Sequence, residues 1–352
     1  MTTMSHRYKS DPTGPGPRRP TMKHVAALAG VGIKTVSRVM NNEPGVSEAT
    51  QRKVLEATRQ LNYQLDMAAG SLRRTGRRTL SLGLLLPSVA NPFSAEIHRA
   101  IEDAALERGI AVFASSLDDE AERERPLVSA FLRRRVDGLI LTTAARSQAY
   151  LMPELAQNLP LVFIDREPVG IEADTVMTDN AEGAAGAARH LIAHGHRRLA
   201  YLGDRPEIQT ARLRRDGFMA ELGRAGIATA GLPVLEGLHT EERAYRAAME
   251  LLSSPQPPTA VFASQNLVTL GVIRALRDRG ESRRVALVGF DDYSLYDLLD
   301  PAITVVAQHP ERLGSLAAQR ILARMDGDHS AAKTYIVPSE LIARGSGEVQ
   351  PQ

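Results

Sequence analysis

The residues whose types and spacing best suit chemistry lie near the N-terminus, in TMKHVAALAGVGIKTVSRVMNN over residues 21–42. Projected at about 100° per residue, Ile33, Lys34, Ser37 and Arg38 share one helical arc, while Val36 and Val39 turn away toward Val25 and Leu28. That arc offers groups suited to duplex DNA. An arginine can pair bidentately with guanine, a lysine more loosely, and an isoleucine can touch a thymine methyl. Thr35 and Ser37 suit a phosphate or a helix cap. The plain alternative is a packed helical hairpin with a solvated charged face. A second constellation, His190, His194 and His196, has the spacing H-x3-H-x-H. It lacks a carboxylate or Cys partner at ligand spacing and runs into Gly195, so histidines complementing a helix C-terminus are the simpler reading and no metal is expected. No G-x-G-x-x-G following a strand, Walker motif or G-x-S-x-G elbow occurs, so neither a cofactor nor an enzyme is expected.

Elements that must position these groups follow from hydrophobic period. Residues 1–20 hold four Pro and two Gly with no apolar period and read as a disordered basic arm. Over 21–65, Val25, Leu28 and Ala29 form one helical stripe, Gly30-Val31-Gly32 breaks it, and Val36, Val39 and Met40 resume it. Ser47 then caps a third helix carrying Val54, Leu55, Thr58 and Leu61. A three-residue turn between the first two helices is helix-turn-helix spacing. Residues 66–78 are a short basic connector. Beyond it, apolar runs such as Leu80–Leu86, Leu161–Ile164 and Val285–Phe290 alternate with amphipathic helices, as buried parallel strands do in an α/β fold. About 270 residues suit two such lobes better than one.

Charge follows the same division. Residues 1–78 carry 14 Lys and Arg against 5 Asp and Glu, and the remainder carries 29 against 36. A basic head on an acidic body suggests that only the head meets a polyanion. Cysteine is absent from the 352 residues, which excludes thiol catalysis and disulfide scaffolds. No apolar run approaches the roughly 18 residues of a spanning helix, and the opening residues lack the apolar stretch of a secretory leader. The expectation is a cytoplasmic, nucleoid-associated protein with no membrane partner.

The stretch VAALAGVGIKTVSRVMNNEPGVSEATQRKVLEATRQLNY resembles the N-terminal domain of the LacI/GalR family of bacterial transcriptional regulators. Its TVSRV core, Val46-Ser47, Thr50-Gln51-Arg52-Lys53-Val54 and Leu61-Asn62-Tyr63 carry the match, and the likeness continues to Gly345. The resemblance implies base reading by Ile33, Lys34 and Arg38. It implies that DMAAGSLRRTGR is a hinge helix, with Leu72 wedged into a base step and Ala69 packed beside its partner. Gly70, a poor helix former, fits a hinge that orders only on DNA.

SVANPFSAEI, RRRVDGLIL, VFIDRE, TDNAEGA, AVFASQNLVTLGVIRAL and VALVGFDD resemble the family's two-lobed core, shared in architecture with periplasmic sugar-binding proteins. This implies an effector-binding and dimerisation domain over 79–345. Its N-lobe would take about 79–179 and 308–332 and its C-lobe about 180–307 and 333–345, with 346–352 as a tail. In open α/β sheets ligands sit beyond the carboxyl ends of the strands. Thr142, Asp165, Gln265 and Asp291 are therefore effector candidates, although an Asp there can equally cap a turn. Arg214 can donate to an oxygen-rich ligand, Phe93 can stack on a sugar face, Gln308 begins a segment recrossing the cleft, and His239 matches an effector position of some relatives. Gln265-Asn266 stands where the family usually has Asn-Asp. The reading is thus a homodimeric repressor on double-stranded operator DNA, controlled by a sugar-like effector. A solute-binding transport protein and a regulator with a purine-type effector are the alternatives.

Overall fold

The structure, a computed structural model, describes residues 20–40, 43–63 and 78–352. It divides into two compact units, Met1–Arg77 and Arg78–Gln352. The expected arm and most of the connector, with Ala69 and Leu72, lie outside the described residues.

In the first unit, α1 (Met22–Ala29) ends where Gly30 turns left-handed at φ 66°, a geometry glycine adopts at little cost. Helix α2 (Ile33–Met40) follows, then α3 (Glu48–Gln60), whose N-cap Ser47 accepts a hydrogen bond from the Thr50 amide. Val25, Ala26, Val36, Val54 and Ala57 form the core, with Val39, Met40 and Tyr63 packed against it. Two residues expected inside lie outside. Leu28 is 50% exposed and Leu55 44%. The buried arc of α1 is centred between Val25 and Ala26, and Leu28 falls roughly 110° from that centre at about 100° per residue.

The second unit contains two six-stranded sheets. The first lobe begins with β1 (Ser81–Leu86), α4 (Pro92–Leu106), β2 (Ala111–Ser116), α5 (Ala121–Arg133) and β3 (Gly138–Leu141). It continues with the short α6 (Met152–Ala156), β4 (Leu161–Ile164) and β5 (Asp174–Thr178). The second lobe runs through α7 (Asn180–Ala193), β6 (Leu199–Leu202), α8 (Gln209–Arg224), β7 (Val234–Leu235) and α9 (Glu241–Leu252). Then come β8 (Ala260–Ala263), α10 (Asn266–Asp278), β9 (Ala286–Phe290) and β10 (Thr304–Ala307). The chain returns to the first lobe in α11 (Pro310–Met325) and β11 (Thr334–Val337), and crosses again to β12 (Glu340–Ile342). Strand orders are β11-β5-β4-β3-β1-β2 and β12-β10-β9-β8-β6-β7. Pairing is parallel except for β10 with β12. Helices cover both faces, so β1, β3, β4, β6, β8, β9 and β10 are buried along their whole length.

Two expected boundaries need correction. Segment 333–345, assigned to one lobe, is shared: β11 pairs with β5 in the first sheet, and only β12 belongs to the second. The half-exposed TYIV run of β11 looks like an edge strand of either sheet until its partner is known. Segment 346–352 is not a loose tail. The buried Ser346 hydroxyl donates to the Leu287 carbonyl at 2.6 Å, and His196 Nε2 stands 2.7 Å from the Val349 carbonyl. Among the described residues no helix is long and apolar enough to cross a membrane.

Where the chain enters this unit, Asp137 accepts from the amides of Thr79 (2.8 Å), Leu80 (2.7 Å) and Ser81 (3.4 Å). Arg78 pairs with Asp326 at 3.3 Å. Helices α7 and α8 approach closely because Gly217 carries no side chain; a methyl there would collide with the Ala181 carbonyl. Gly217→Ala is expected to cost about 1–3 kcal/mol of stability, read from urea denaturation. An unchanged midpoint would show that the helix pair tolerates separation.

Candidate functional site

Two places gather the expected functional side chains. On α2, Ile33 is 46% exposed and Lys34 is exposed, while Val36 is buried in the core. Thr35, Ser37 and Arg38 are partly buried. Arg38 is turned onto the loop that follows: its Nη2 donates to the Pro44 carbonyl at 2.5 Å, and its Nε lies 3.9 Å from Glu43. That hydrogen bond holds the side chain on the loop and is worth a net of about 0.5–1.5 kcal/mol.

The second place is a crevice between the two sheets of the body, lined from both lobes. Phe93, Asp165, Arg214, Gln265, Asp291 and Gln308 all line it. They reach it from strand ends and helix starts. Asp165 follows β4 and Asp291 follows β9, both with left-handed backbone at φ 71°. Each donates its amide to the neighbouring strand, to Val176 at 2.8 Å and Val306 at 2.9 Å. Left-handed non-glycine residues cost on the order of 1–3 kcal/mol, and such outliers cluster at ligand clamps.

Arg214 comes from the first turns of α8. Its Nε donates to Asn180 Oδ1 at 2.7 Å, its Nη1 donates to the Ser264 carbonyl at 2.8 Å, and its guanidinium lies 3.8 Å from the Phe290 ring centre. Asp291 Oδ1 accepts from Gln308 Nε2 at 2.5 Å, and Gln308 Oε1 accepts from Thr178 Oγ1 at 2.5 Å. The Gln265 side chain caps α10 by accepting from the amides of Leu267 and Val268.

Two expected residues are not in the lining. Thr142 is wholly buried and donates to the Ile164 carbonyl at 3.1 Å, tying the end of β3 to β4. His239 follows the edge strand β7, and its Nδ1 lies 3.0 Å from the Gly237 carbonyl. Others were missed: Asn91, Ser94, Asp119, Arg166, Asp204 and Ser264 also line the crevice. Asp204, two residues beyond β6, obeys the same strand-end rule as Asp165. Asp119 reads in sequence as part of a solvated helix start, yet it pairs with buried Arg166 at 2.7 Å. Nothing local announces that, because the partner lies on another strand end.

Electrostatics follow from burial. Desolvation pushes the Asp165 carboxyl up, against the pull of Arg166 and Arg214. Asp204 is also raised by burial, partly offset by the Arg205 amide. Burial would lower Arg166, but Asp119 and Asp165 outweigh it and its pKa rises. Across the mouth the lobes share an amide pair. Asn266 Nδ2 donates to Asn91 Oδ1 at 2.8 Å, and Asn91 Nδ2 donates to Asn266 Oδ1 at 3.4 Å. An Asp at 266 could accept but not return the bond. Two of the three histidines meet the C-terminal segment, while His194 Nδ1 lies 2.8 Å from the His190 carbonyl. His190 pairs with Glu348 at 2.5 Å, and His196 sits between Thr259 Oγ1 and the Val349 carbonyl.

A helix-turn-helix unit joined in one chain to a two-lobed receptor with a polar crevice defines a DNA-binding regulator controlled by a small-molecule effector. Comparison with known proteins agrees. Residues 21–66 match the pattern of bacterial regulatory proteins, lacI family, and residues 188–347 match a periplasmic binding protein-like domain. The repressor PurR of Erwinia tasmaniensis is 32% identical over 330 residues, covering 93% of this chain and 96% of that protein. CytR of Escherichia coli strain K12 is 29% identical over 333 residues, covering 94% and 97%. The crystal structure of the lac repressor dimer bound to operator and the anti-inducer ONPF superposes with a TM-score of 0.83 at 28% identity, over 94% of this chain and 99% of that one. The chain belongs to the lacI family of bacterial regulatory proteins. The relatives named are transcriptional regulators.

Two outcomes follow. Arg38→Ala should weaken binding to its operator by about 1–3 kcal/mol and relax the preference at one base pair in a gel-shift series. A uniform loss on every duplex would make Arg38 a phosphate anchor instead. For Asp165 the raised pKa means that folding favours the protonated carboxyl. Its contribution to stability is full below the ordinary carboxylate range near about 3.9 and is lost as pH rises through the raised native value. Asp165→Asn should therefore melt higher than the parent at pH 7, with the gap closing toward pH 4. A constant gap across that window would refute the desolvation account.

Proposed function

We propose that the protein is a non-enzymatic repressor that grips a near-palindromic duplex operator as a homodimer, with a sugar-like effector in the body's crevice altering that grip. Base contacts come from Ile33, Lys34 and Arg38, with Thr35 and Ser37 at the phosphates. Two such helices, one per protomer, require half-sites about one helical turn apart. The lac repressor structure, a dimer on operator, supports the same assembly here. Ala69 and Leu72 complete the proposed DNA contacts from the connector.

The observation that carries the effector reading is the convergence of Asp165, Arg214, Asp291 and Gln308, far apart in sequence, on one crevice between two lobes. Carboxylates that accept paired hydroxyls, beside a fixed guanidinium, suit an oxygen-rich ligand. Ligand bridging the lobes changes their closure. Asp137 and Asp326 hold residues 78–81 at the start of the body, so movement of the first lobe is passed to the segment before Arg78. A coupling of about 1–3 kcal/mol is enough for a switch.

The test is selection of an operator from randomised duplexes, followed by titration with sugars. Absence of any sequence preference at moderate salt would sink the reading. Asp291→Ala should abolish the effector response while operator affinity in the absence of effector is kept; a retained response would remove Asp291 from the pocket.

A further inference from the structure

The acidic run Asp118-Asp119-Glu120, which reads in sequence as a solvated helix start, stands at the rim of the crevice. It follows β2, and Arg205 lies three residues beyond β6. The crossovers between the lobes leave from β5, β10 and β11, toward the other edge of each sheet. The acidic run and Arg205 therefore meet where the lobes must part furthest on opening.

Arg205 reaches across from the second lobe. Its Nη1 lies 3.5 Å from Glu120, and its Nη2 lies 3.9 Å from Asp119 and 3.5 Å from the Asp118 carbonyl. Asp119 is shared, because its other carboxylate oxygen lies 2.7 Å from Arg166 of its own lobe. These are contacts of charge more than aligned hydrogen bonds. Asp119 Oδ1, Arg166 Nε and Arg205 Nε are buried with no hydrogen-bond partner among the described residues. The backbone is strained at the same place. Asp118 and Asp119 are both left-handed, at φ 53° and 55°. Aspartate visits that region singly, and strain of this kind persists at switch elements whose surroundings hold it. Here Arg123 pairs with Asp118, and the Asp118 amide donates to the Pro87 carbonyl at 2.7 Å.

We infer that Arg205 and residues 118–120 form an electrostatic latch that holds the two lobes closed before any effector binds. Arg205 is not itself in the lining of the crevice, so the latch is distinct from the proposed effector contacts and does not depend on the effector's chemistry. Asp119 does line the crevice, so a ligand that engages it competes with Arg205 for one carboxylate. Being held by charge at a partly exposed rim, the latch must weaken as salt rises.

The test needs neither effector nor operator. The Glu167 amide of the first lobe donates across the crevice to Gln209 Oε1 of the second at 2.8 Å, so its hydrogen exchange in the full chain reports opening. Amides inside β4 and β9 serve as the reference. Arg205→Ala should speed exchange at Glu167 about three- to fivefold, as partly exposed ion pairs of this kind allow, and leave the reference unchanged. Glu120→Gln should speed it in the same direction. Arg205→Lys keeps the charge and should stay within about twofold of the parent. Added salt should bring the parent toward the Arg205→Ala rate while barely moving that variant. The inference is overturned if Arg205→Ala leaves Glu167 unchanged, or if the reference amides accelerate by the same factor. It is equally overturned if Arg205→Lys exchanges as fast as Arg205→Ala, or if the salt response persists in Arg205→Ala. Such a failure leaves the operator and effector readings standing, because those are tested with DNA and ligand.

Discussion

A strand buried on both faces has no lateral place for a charged side chain, so the body's polar chemistry is driven to strand ends, and everything the crevice does depends on that constraint. Residues of β4 and β9 are buried throughout, and the first residue past each is an aspartate. Both aspartates turn left-handed and return an amide to the next strand, which fixes each carboxylate against the sheet edge. The strain is offset by packing on either side, because helices cover both faces. A polar cleft is therefore the natural by-product of two well-packed apolar sheets whose carboxyl ends face each other.

The two lobes answer each other strand for strand. Reading inward from β2 and β7, the orders β2-β1-β3-β4-β5 and β7-β6-β8-β9-β10 coincide, and Asp165 and Asp291 occupy equivalent ends. Their hydrogen bonds differ in a way that matters. Asp165 faces Arg166, whereas Asp291 lies in a chain running from Asn91 through Asn266 to Asp291, Gln308 and Thr178. That chain begins at the start of α4 in one lobe and ends at a crossover. It ties Asp291 to groups contributed by both lobes.

The head works under a different constraint. Five buried side chains make a small core, so its helices have little apolar area with which to hold themselves together. Polar closures carry more of the load: Gly30 at the turn, Ser47 at the cap, and Arg38 on the Pro44 carbonyl. Arg38 closes the loop after α2 through its hydrogen bond to the Pro44 carbonyl and so serves the fold of the head.

What the amino-acid sequence determined by itself was everything that repeats locally. The turn of the head, the N-cap at Ser47 and the apolar strand runs are written in residues a few positions apart, because hydrogen bonds of turns and helices close over that range. The strand-end rule also found Asp165, Gln265 and Asp291 before any contact was known. Tertiary structure decided the rest. Thr142 obeys the same rule yet spends its hydroxyl on Ile164, and Asp119, plain in sequence, meets Arg166 in the crevice. Leu28 and Leu55 look like core on a helical wheel but face out, since three helices bury only the arcs they turn toward one another. β11 joined the first sheet and 346–352 was knit into the second lobe through contacts spanning tens to hundreds of residues. Such pairings depend on which surfaces meet after the chain has folded back, and no local pattern encodes that.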